Sequence, residues 1–127
     1  MPKMARDLTS EDKKHYLATA KKREREKQSA LQNRINRALT LADQAASLLR
    51  YKYCAERVVL FGSLTDIQTF TLWSDVDIAA WGLTADNFLK AMSDVDALDS
   101  EIEINLVDIH TAKASLMENI LTQGQDI

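Results

Sequence analysis

The chain has 127 residues, of which 46% are hydrophobic and 28% charged, and its formal net charge is −3. This length and composition predict one small globular domain, too short for two separate cores. No apolar run approaches the roughly eighteen residues of a membrane-spanning helix, and Met1 to Arg6 lack the hydrophobic stretch of a secretory signal. The only cysteine, Cys54, excludes an internal disulfide and suits a reducing cytoplasm, where we expect it to be a small buried residue.

The N-terminal part of the chain, residues 1–56, predicts one long basic helix. Thr9 with Asp12, or Ser10, supplies an N-cap, and neither Pro nor Gly interrupts the chain from there to about Lys52. A helix of some forty residues would be about 60 Å long. Its apolar residues recur at three- and four-residue steps and mark a packing face: Leu31, Ile35, Leu39, Ala42, Ala45 or Ala46, and Leu49.

Residues 21–28 of this helix, with the sequence KKREREKQ, are polar on every side and have no core to face. A solvated helix with pairs such as Lys22 and Glu26 is one interpretation. Others are pairing with a second copy to form a homo-oligomer, docking on a partner protein, or binding RNA. RNA binding has the weakest support, because aromatic residues that could stack on bases are scarce here.

The apolar strand VVLF at residues 58–61 ends in Gly62 and Ser63. A glycine lets the backbone approach a phosphate closely, and a serine at the start of a helix offers its hydroxyl beside unpaired N–H donors. The pattern predicts a turn that can hold a polyphosphate.

Asp75 and Asp77 follow on the next strand. Since side chains alternate along a strand, the two carboxylates face the same side about 7 Å apart at the Cα atoms, while Val76 and Ile78 face the other. Their repulsion makes sense mainly if a cation lies between them. Mg²⁺ accepts one or two carboxylates and completes its shell with water and phosphate oxygens. We therefore predict that Asp75 and Asp77 are metal ligands.

Together, VVLFGS at residues 58–63 and SDVDI at residues 74–78 resemble the signature of the DNA polymerase β-like nucleotidyltransferase superfamily, and the small size resembles its minimal nucleotidyltransferase branch. The resemblance covers residues 57–127. It implies an α/β (α+β) fold, with a small mixed β-sheet, helices on one side and the long N-terminal helix packed against it. We assign residues 57–127 to this nucleotidyltransferase core.

The resemblance also implies an activity: transfer of a nucleoside monophosphate from a nucleoside triphosphate, with ATP as the expected substrate, to a hydroxyl group. Many members of the branch are antitoxins paired with a HEPN-domain ribonuclease, so a partner protein of this type is expected. Carried over by position, the nucleotide would contact Gly62, Ser63 and Ser74, and Mg²⁺ would bind Asp75 and Asp77.

Two positions depart from the family pattern. Many relatives have a short Arg-Gly stretch soon after the Gly-Ser, but residues 64–70 read LTDIQTF. The family's third acid, on a later strand, corresponds to Asn105, whose amide cannot take a proton from an attacking hydroxyl. Glu103, two residues earlier on the same strand face, could substitute or be an ordinary edge charge. A catalytically weak or inactive protein that acts by binding a partner through its long helix is the alternative.

The remaining elements complete the predicted fold. We predict helices over residues 85–95 and 114–122, a third strand over residues 102–109, and a C-terminal cap at Gly124. Trp73 and Trp81 could stack on a nucleobase or pack in a core or interface.

Charge is unevenly distributed along the chain. Residues 1–57 hold fourteen basic and seven acidic residues, a charge of +7, whereas residues 58–127 hold two basic and twelve acidic residues, a charge of −10. A triphosphate in so acidic a region needs a metal ion to offset repulsion.

Overall fold

The structure, a computed structural model, describes residues 9–127. The predicted basic region 1–56 and the interpretation of Met1–Arg6 therefore fall partly or wholly outside the described residues. Contacts divide the chain into two compact units, one ending at Asn33 and the other comprising Arg34–Ile127. The boundary that we drew between residues 56 and 57 stays a prediction.

The long N-terminal helix is present as α1, Ser10–Tyr53. It begins at one of the two caps that the sequence suggested: the Asp12 N–H donates to Thr9 Oγ1 and the Thr9 N–H donates to Asp12 Oδ2, both at 3.1 Å. This reciprocal arrangement satisfies two donors at the start of the helix. Within the first unit, no side chain between Thr9 and Asn33 is buried.

Within the second unit, α1 has one buried face that is rich in alanine. Its buried residues are Ile35, Ala38, Leu41, Ala42, Ala45, Ala46, Leu49 and Tyr53. Leu39, which we predicted on this face, is 40% exposed, because the stripe runs through Ala38 and Leu41 on either side of it. The prediction for Cys54 is also wrong: it is exposed and adopts φ +57°, ending the helix in a left-handed conformation.

A four-stranded mixed sheet forms the centre of the second unit. Its strands are β1 (Arg57–Phe61), β2 (Val76–Trp81), β3 (Ile104–Asp108) and β4 (Gln125–Asp126), in the spatial order β3-β2-β1-β4. β1 pairs antiparallel with β2 and β4, whereas β2 and β3 are parallel. Helix α2 spans Ala85–Asp96 and helix α3 spans Ala114–Gln123. The predicted fold class, an α+β fold with a mixed sheet and a long N-terminal helix, is confirmed.

The structure shows which face of the sheet helix α3 covers. Helix α3 packs on the face that contains Val59 and Ala79, where Ile120 completes a buried cluster. The alternating side chains of Val58 and Ile78 point to the other face and are equally buried. Both faces of the sheet are therefore covered. The sequence showed the apolar residues of α3 but not the face of the sheet on which they pack.

The C-terminal strand β4 was absent from our predictions. Its two residues are polar and too few to show alternation. Gly124, predicted as a cap, does lie at the end of α3, but its backbone is extended, with φ −70° and ψ 157°. A Cβ atom at this position would overlap the Ile120 carbonyl oxygen and Val59 Cγ1, so a close approach, not a left-handed turn, requires glycine here. Between residues 9 and 127, no helix has the length and apolar character needed to cross a membrane.

Candidate nucleotide and metal site

The predicted phosphate turn directly follows β1. Gly62 has φ +78° and opens a short 3-10 helix, Gly62–Thr65. A Cβ atom at Gly62 would overlap the carboxylate oxygen Oδ2 of Asp77 and lie 3.2 Å from Asp77 Cγ. Glycine is needed here for both the left-handed backbone and the space. The turn and the second acid of the Asp-x-Asp motif are therefore in direct contact.

Asp77 is at the centre of the site because of the strand register. It pairs with Phe61 on β1 and with Asn105 on β3. The Asn105 amide Nδ2 donates a hydrogen bond of 3.1 Å to Asp77 Oδ1. Asn105, which the resemblance places at the third-acid position, thus holds its amide in contact with one of the two carboxylates.

The pKa of Asp77 is raised above its ordinary value. Burial is the main cause, the hydrogen bond from Asn105 opposes it, and the negative charge of Asp75 raises the pKa further. Asp75 is therefore near enough to repel the charge on Asp77. A buried carboxylate whose charge is disfavoured by a neighbouring acid suits a hard divalent cation, which would relieve the repulsion and keep open positions for phosphate oxygens.

Asp75 precedes β2, and the backbone before it is held by α1. Arg34 donates two hydrogen bonds to the Ser74 carbonyl oxygen, from Nε at 3.2 Å and from Nη2 at 2.8 Å. The Ser74 hydroxyl accepts from the Thr71 N–H at 2.9 Å and contacts Thr71 Oγ1 at 3.1 Å. Ser74 is thus engaged in a tight turn, and its predicted contact with a nucleotide stays a prediction.

Threonine hydroxyls fix the backbone of the phosphate turn. Thr65 Oγ1 donates to the Gly62 carbonyl at 2.7 Å, and Thr69 Oγ1 donates to the Ser63 carbonyl at 3.1 Å. Ser63 is half-buried. These bonds hold carbonyl oxygens within the loop, so the turn is shaped before any ligand binds.

Glu103 does not join the acid pair as a third acidic ligand. It lies just before β3, its side chain is exposed, and its carbonyl accepts from the Val76 N–H at 3.0 Å. Among residues 9–127, no group of three His, Cys, Asp or Glu side chains is placed to hold one metal ion. Glu103 instead lines a groove with Asp96 and Asn105. The structure brings together Gly62, Asp75, Asp77 and Asn105.

Sequence reasoning missed Arg34, which anchors the segment before Asp75. A signal was present: Arg34 lies two helical turns before the buried Leu41 and so on the packing face of α1, where an arginine needs a partner. The partner, a backbone carbonyl forty residues away, has no signature in the sequence.

Comparisons with known proteins point to one family. The family model described as polymerase beta, nucleotidyltransferase, matches residues 43–127. A crystal structure of a mutant MntA–HpeT toxin–antitoxin, in which two aspartates separated by one residue are replaced by glutamate, is similar at 26% identity with a TM-score of 0.52. The similarity covers 67% of this chain and 70% of that one.

A second similar structure is a tri-AMPylated Shewanella oneidensis HEPN toxin in complex with an MNT antitoxin. It shows 26% identity and a TM-score of 0.50, over 70% of each chain. No match was found among curated proteins.

Proposed function

The chain belongs to the polymerase β nucleotidyltransferase family, in its minimal nucleotidyltransferase branch, and from this premise we propose a Mg²⁺-dependent transfer of a nucleoside monophosphate from ATP to a hydroxyl of a partner protein. The observation that carries the proposal is the contact between the Gly62 turn and the Asp77 carboxylate, with Asp75 beside it. We propose a HEPN-type toxin as the partner, because a similar structure contains an AMPylated HEPN toxin with an MNT antitoxin. The setting is the cytoplasm.

Each residue of the site has a defined task in this proposal. Asp75 and Asp77 hold the metal ion, and Gly62 and Ser63 bind the phosphates. When bound, Mg²⁺ neutralises charge on the triphosphate and on the pyrophosphate that leaves. The Asn105 amide donates to Asp77 Oδ1 and so favours the ionised carboxylate. The acceptor oxygen would bond to the α-phosphorus as the bond to the pyrophosphate breaks, and since Asn105 cannot accept the proton of the acceptor hydroxyl, that proton would pass to water. Catalysis then rests on positioning and charge stabilisation.

The test is co-expression with a HEPN-type partner, followed by intact-protein mass spectrometry of that partner. The wild-type chain should add one or more nucleoside monophosphate masses, and Asp77→Asn should add none while remaining folded. Asp96→Asn is the matched control, because Asp96 is an exposed aspartate on α2 and its loss should leave transfer unchanged. Equal transfer by Asp77→Asn and wild type would refute the site assignment.

The second candidate function is a catalytically weak or inactive protein that acts by binding its partner through α1. The amide of Asn105, hydrogen-bonded to Asp77 where the family has an acid, is the observation that favours it. An Asn105→Asp variant separates the two functions: an inactive protein would gain transfer activity that wild type lacks, whereas the proposed enzyme already transfers with Asn105 in place.

A further inference from the structure

Trp73 is the most exposed large apolar side chain beside the site. Its residue is 88% exposed, and Ile67 in the same connection between β1 and β2 is 54% exposed. Indole is a large apolar surface whose exposure to water is unfavourable. Of the two readings that the sequence left open for Trp73, packing in the core of its own chain is wrong.

Hydrogen bonds hold the backbone of the turn that carries Trp73. The Trp73 N–H donates to Thr71 Oγ1 at 3.2 Å, and the Ser74 N–H donates to the Thr71 carbonyl at 3.2 Å. Arg34 fixes the following carbonyl from α1 with two further hydrogen bonds. Because the backbone at Trp73 is already held, ordering this turn on binding a partner costs little.

Trp73 lies close to the acid pair along the chain. Its Cα lies two residues from that of Asp75, at most about 7 Å away. A protein that buries this indole therefore comes within reach of the acids. Nucleobases, by contrast, are bound in concave sites that bury most of the ligand, and a residue that is 88% exposed does not form the wall of such a site.

We propose that Trp73 is a contact residue for the partner protein, which buries the indole in an apolar depression and thereby brings its acceptor hydroxyl to the site. Tryptophan is among the residues that most often dominate binding at protein interfaces. The inference rests on the proposed function for the acceptor, but the contact itself can be measured without turnover.

The experiment compares Trp73→Ala with Leu89→Ala, because Leu89 is another exposed large apolar residue, at 65%, and lies on α2. The probe is the co-expressed HEPN-type protein, and its dissociation constant is measured by titration with each purified variant. Trp73→Ala should weaken binding at least about tenfold and Leu89→Ala less than about twofold, the first being a loss typical of an interface hot spot. ATP affinity with Mg²⁺ should be the same in both variants and in wild type.

A second measurement reports on the indole directly. In a Trp81→Phe background, where Trp73 is the only tryptophan, addition of the partner should shift the fluorescence maximum to shorter wavelength. Thermal unfolding of Trp73→Ala should match wild type, since the side chain makes few contacts.

Each other outcome is decisive. Unchanged partner affinity in Trp73→Ala overturns the inference, as does a selective loss of ATP affinity, which would mean stacking on the base. Self-association that depends on Trp73 would assign the contact to a second copy and overturn it too. A wild-type complex that forms without nucleotide transfer refutes the proposed function but leaves the Trp73 contact standing. Failure of the wild-type chain to bind refutes the proposed partner and the inference together.

Discussion

Two residues of the site, Gly62 and Asp77, occupy positions that folding alone would not favour. Gly62 adopts a left-handed backbone in direct contact with a carboxylate, and Asp77 is half-buried with a second acid nearby. Buried carboxylates without a cationic partner destabilise the folded state. Such local conflict is typical of a site that is shaped for a ligand.

The first prediction at this scale concerns Gly62→Ala. The new Cβ would force a strained φ and push the Asp77 carboxylate, so we expect a destabilisation of about 1–3 kcal/mol and loss of Mg²⁺-dependent ATP binding. Gly82→Ala is the matched control, since Gly82 has φ +91° and its Cβ would lie 2.8 Å from Glu56 Cγ. The control should lose stability in chemical unfolding but keep ATP affinity in calorimetry. Normal ATP binding by Gly62→Ala would contradict the phosphate-turn assignment.

The second residue-scale prediction is that Asp77→Asn stabilises the metal-free protein at pH 7. Because burial raises the pKa of Asp77 in the folded state, the folded chain binds this proton more tightly than the unfolded chain. The free energy of unfolding therefore falls as the pH rises above the unfolded pKa of about 3.9 and through the folded pKa. An amide removes this cost and can still accept from Asn105.

Thermal unfolding in the presence of a chelator checks this expectation. The melting temperature of Asp77→Asn should exceed that of wild type at pH 7, and the difference should shrink as the pH approaches about 4. Asp96→Asn, an exposed control, should melt like wild type. A lower melting temperature for Asp77→Asn at pH 7 would contradict this prediction, because it would mean that the charged form of Asp77 stabilises the fold.

At the scale of elements, polar pairs attach α1 to the far end of α2 and to the connection that follows it. Lys52 Nζ lies 2.6 Å from Asp94 Oδ2, which also accepts from the Tyr53 hydroxyl. Arg37 Nε donates to Asp99 Oδ2 at 2.6 Å. These pairs determine the position of α1 along α2. The small alanines on the buried face of α1 allow close packing but would pack similarly if α1 were shifted.

Asp99 should make the attachment sensitive to acid. Burial of Asp99 acts against ionisation, but hydrogen bonds from the Glu101 and Ile102 N–H groups and from Arg37 outweigh it and lower the pKa of Asp99. A depressed folded pKa contributes stability above the unfolded pKa of about 3.9, and that stability is lost as the pH falls through the folded pKa. Asp99→Asn should reduce the free energy of unfolding at pH 7 by on the order of 1 kcal/mol.

Urea unfolding at several pH values tests this assignment. Wild type and Asp99→Asn should converge from about pH 4 downward, where the native carboxylate also becomes protonated. Glu101→Gln is the control, because the Glu101 side chain is 72% exposed and exposed ion pairs contribute little. A constant difference between wild type and Asp99→Asn at all pH values would mean that charge is not the cause.

The bounds of the helices and strands were largely predictable from the sequence, but the contacts between these elements were not. Local signals in the sequence placed α1, α2, α3 and the first three strands, because capping residues and apolar periodicity are properties of neighbouring residues. Strand β4 has no such pattern. Three features depend on residues distant in the chain: the face of the sheet that α3 covers, the contact of Arg34 with Ser74, and the exposure of Trp73.

The residues of the candidate site were predictable from the sequence only as separate motifs. Spacing predicted Asp75, Asp77 and Gly62, and the strand register then brings Asp77 beside Phe61 and Asn105. The sequence also suggested Glu103, because it lies two residues before Asn105 and so on the same strand face. This alternation does not show whether the side chain reaches the acid pair, and Glu103 lies exposed before the strand begins.

For the whole molecule, the dominant property is the separation of charge along the chain. The region that holds the site, residues 58–127, has a formal charge of −10 and only two basic residues, Lys90 and Lys113. A triphosphate without metal is therefore repelled on approach, and the repulsion is screened by salt over about 10 Å at 0.1 M ionic strength. The net charge of this region is therefore opposite in sign to that of a phosphate-binding site built from lysine and arginine.

The last prediction follows from the negative charge of residues 58–127. With a chelator present, ATP should bind weakly, and raising the salt concentration should increase its affinity or leave it unchanged, because screening removes repulsion. A basic site for RNA would respond in the opposite way, losing affinity steeply with salt. Equilibrium binding of ATP with and without Mg²⁺, at two salt concentrations, measures both effects. Adenosine is the control, because an uncharged nucleoside should bind independently of salt and metal. If metal-free ATP instead bound tightly at low salt and was released at high salt, cationic side chains, and not a metal held by Asp75 and Asp77, would carry the phosphates.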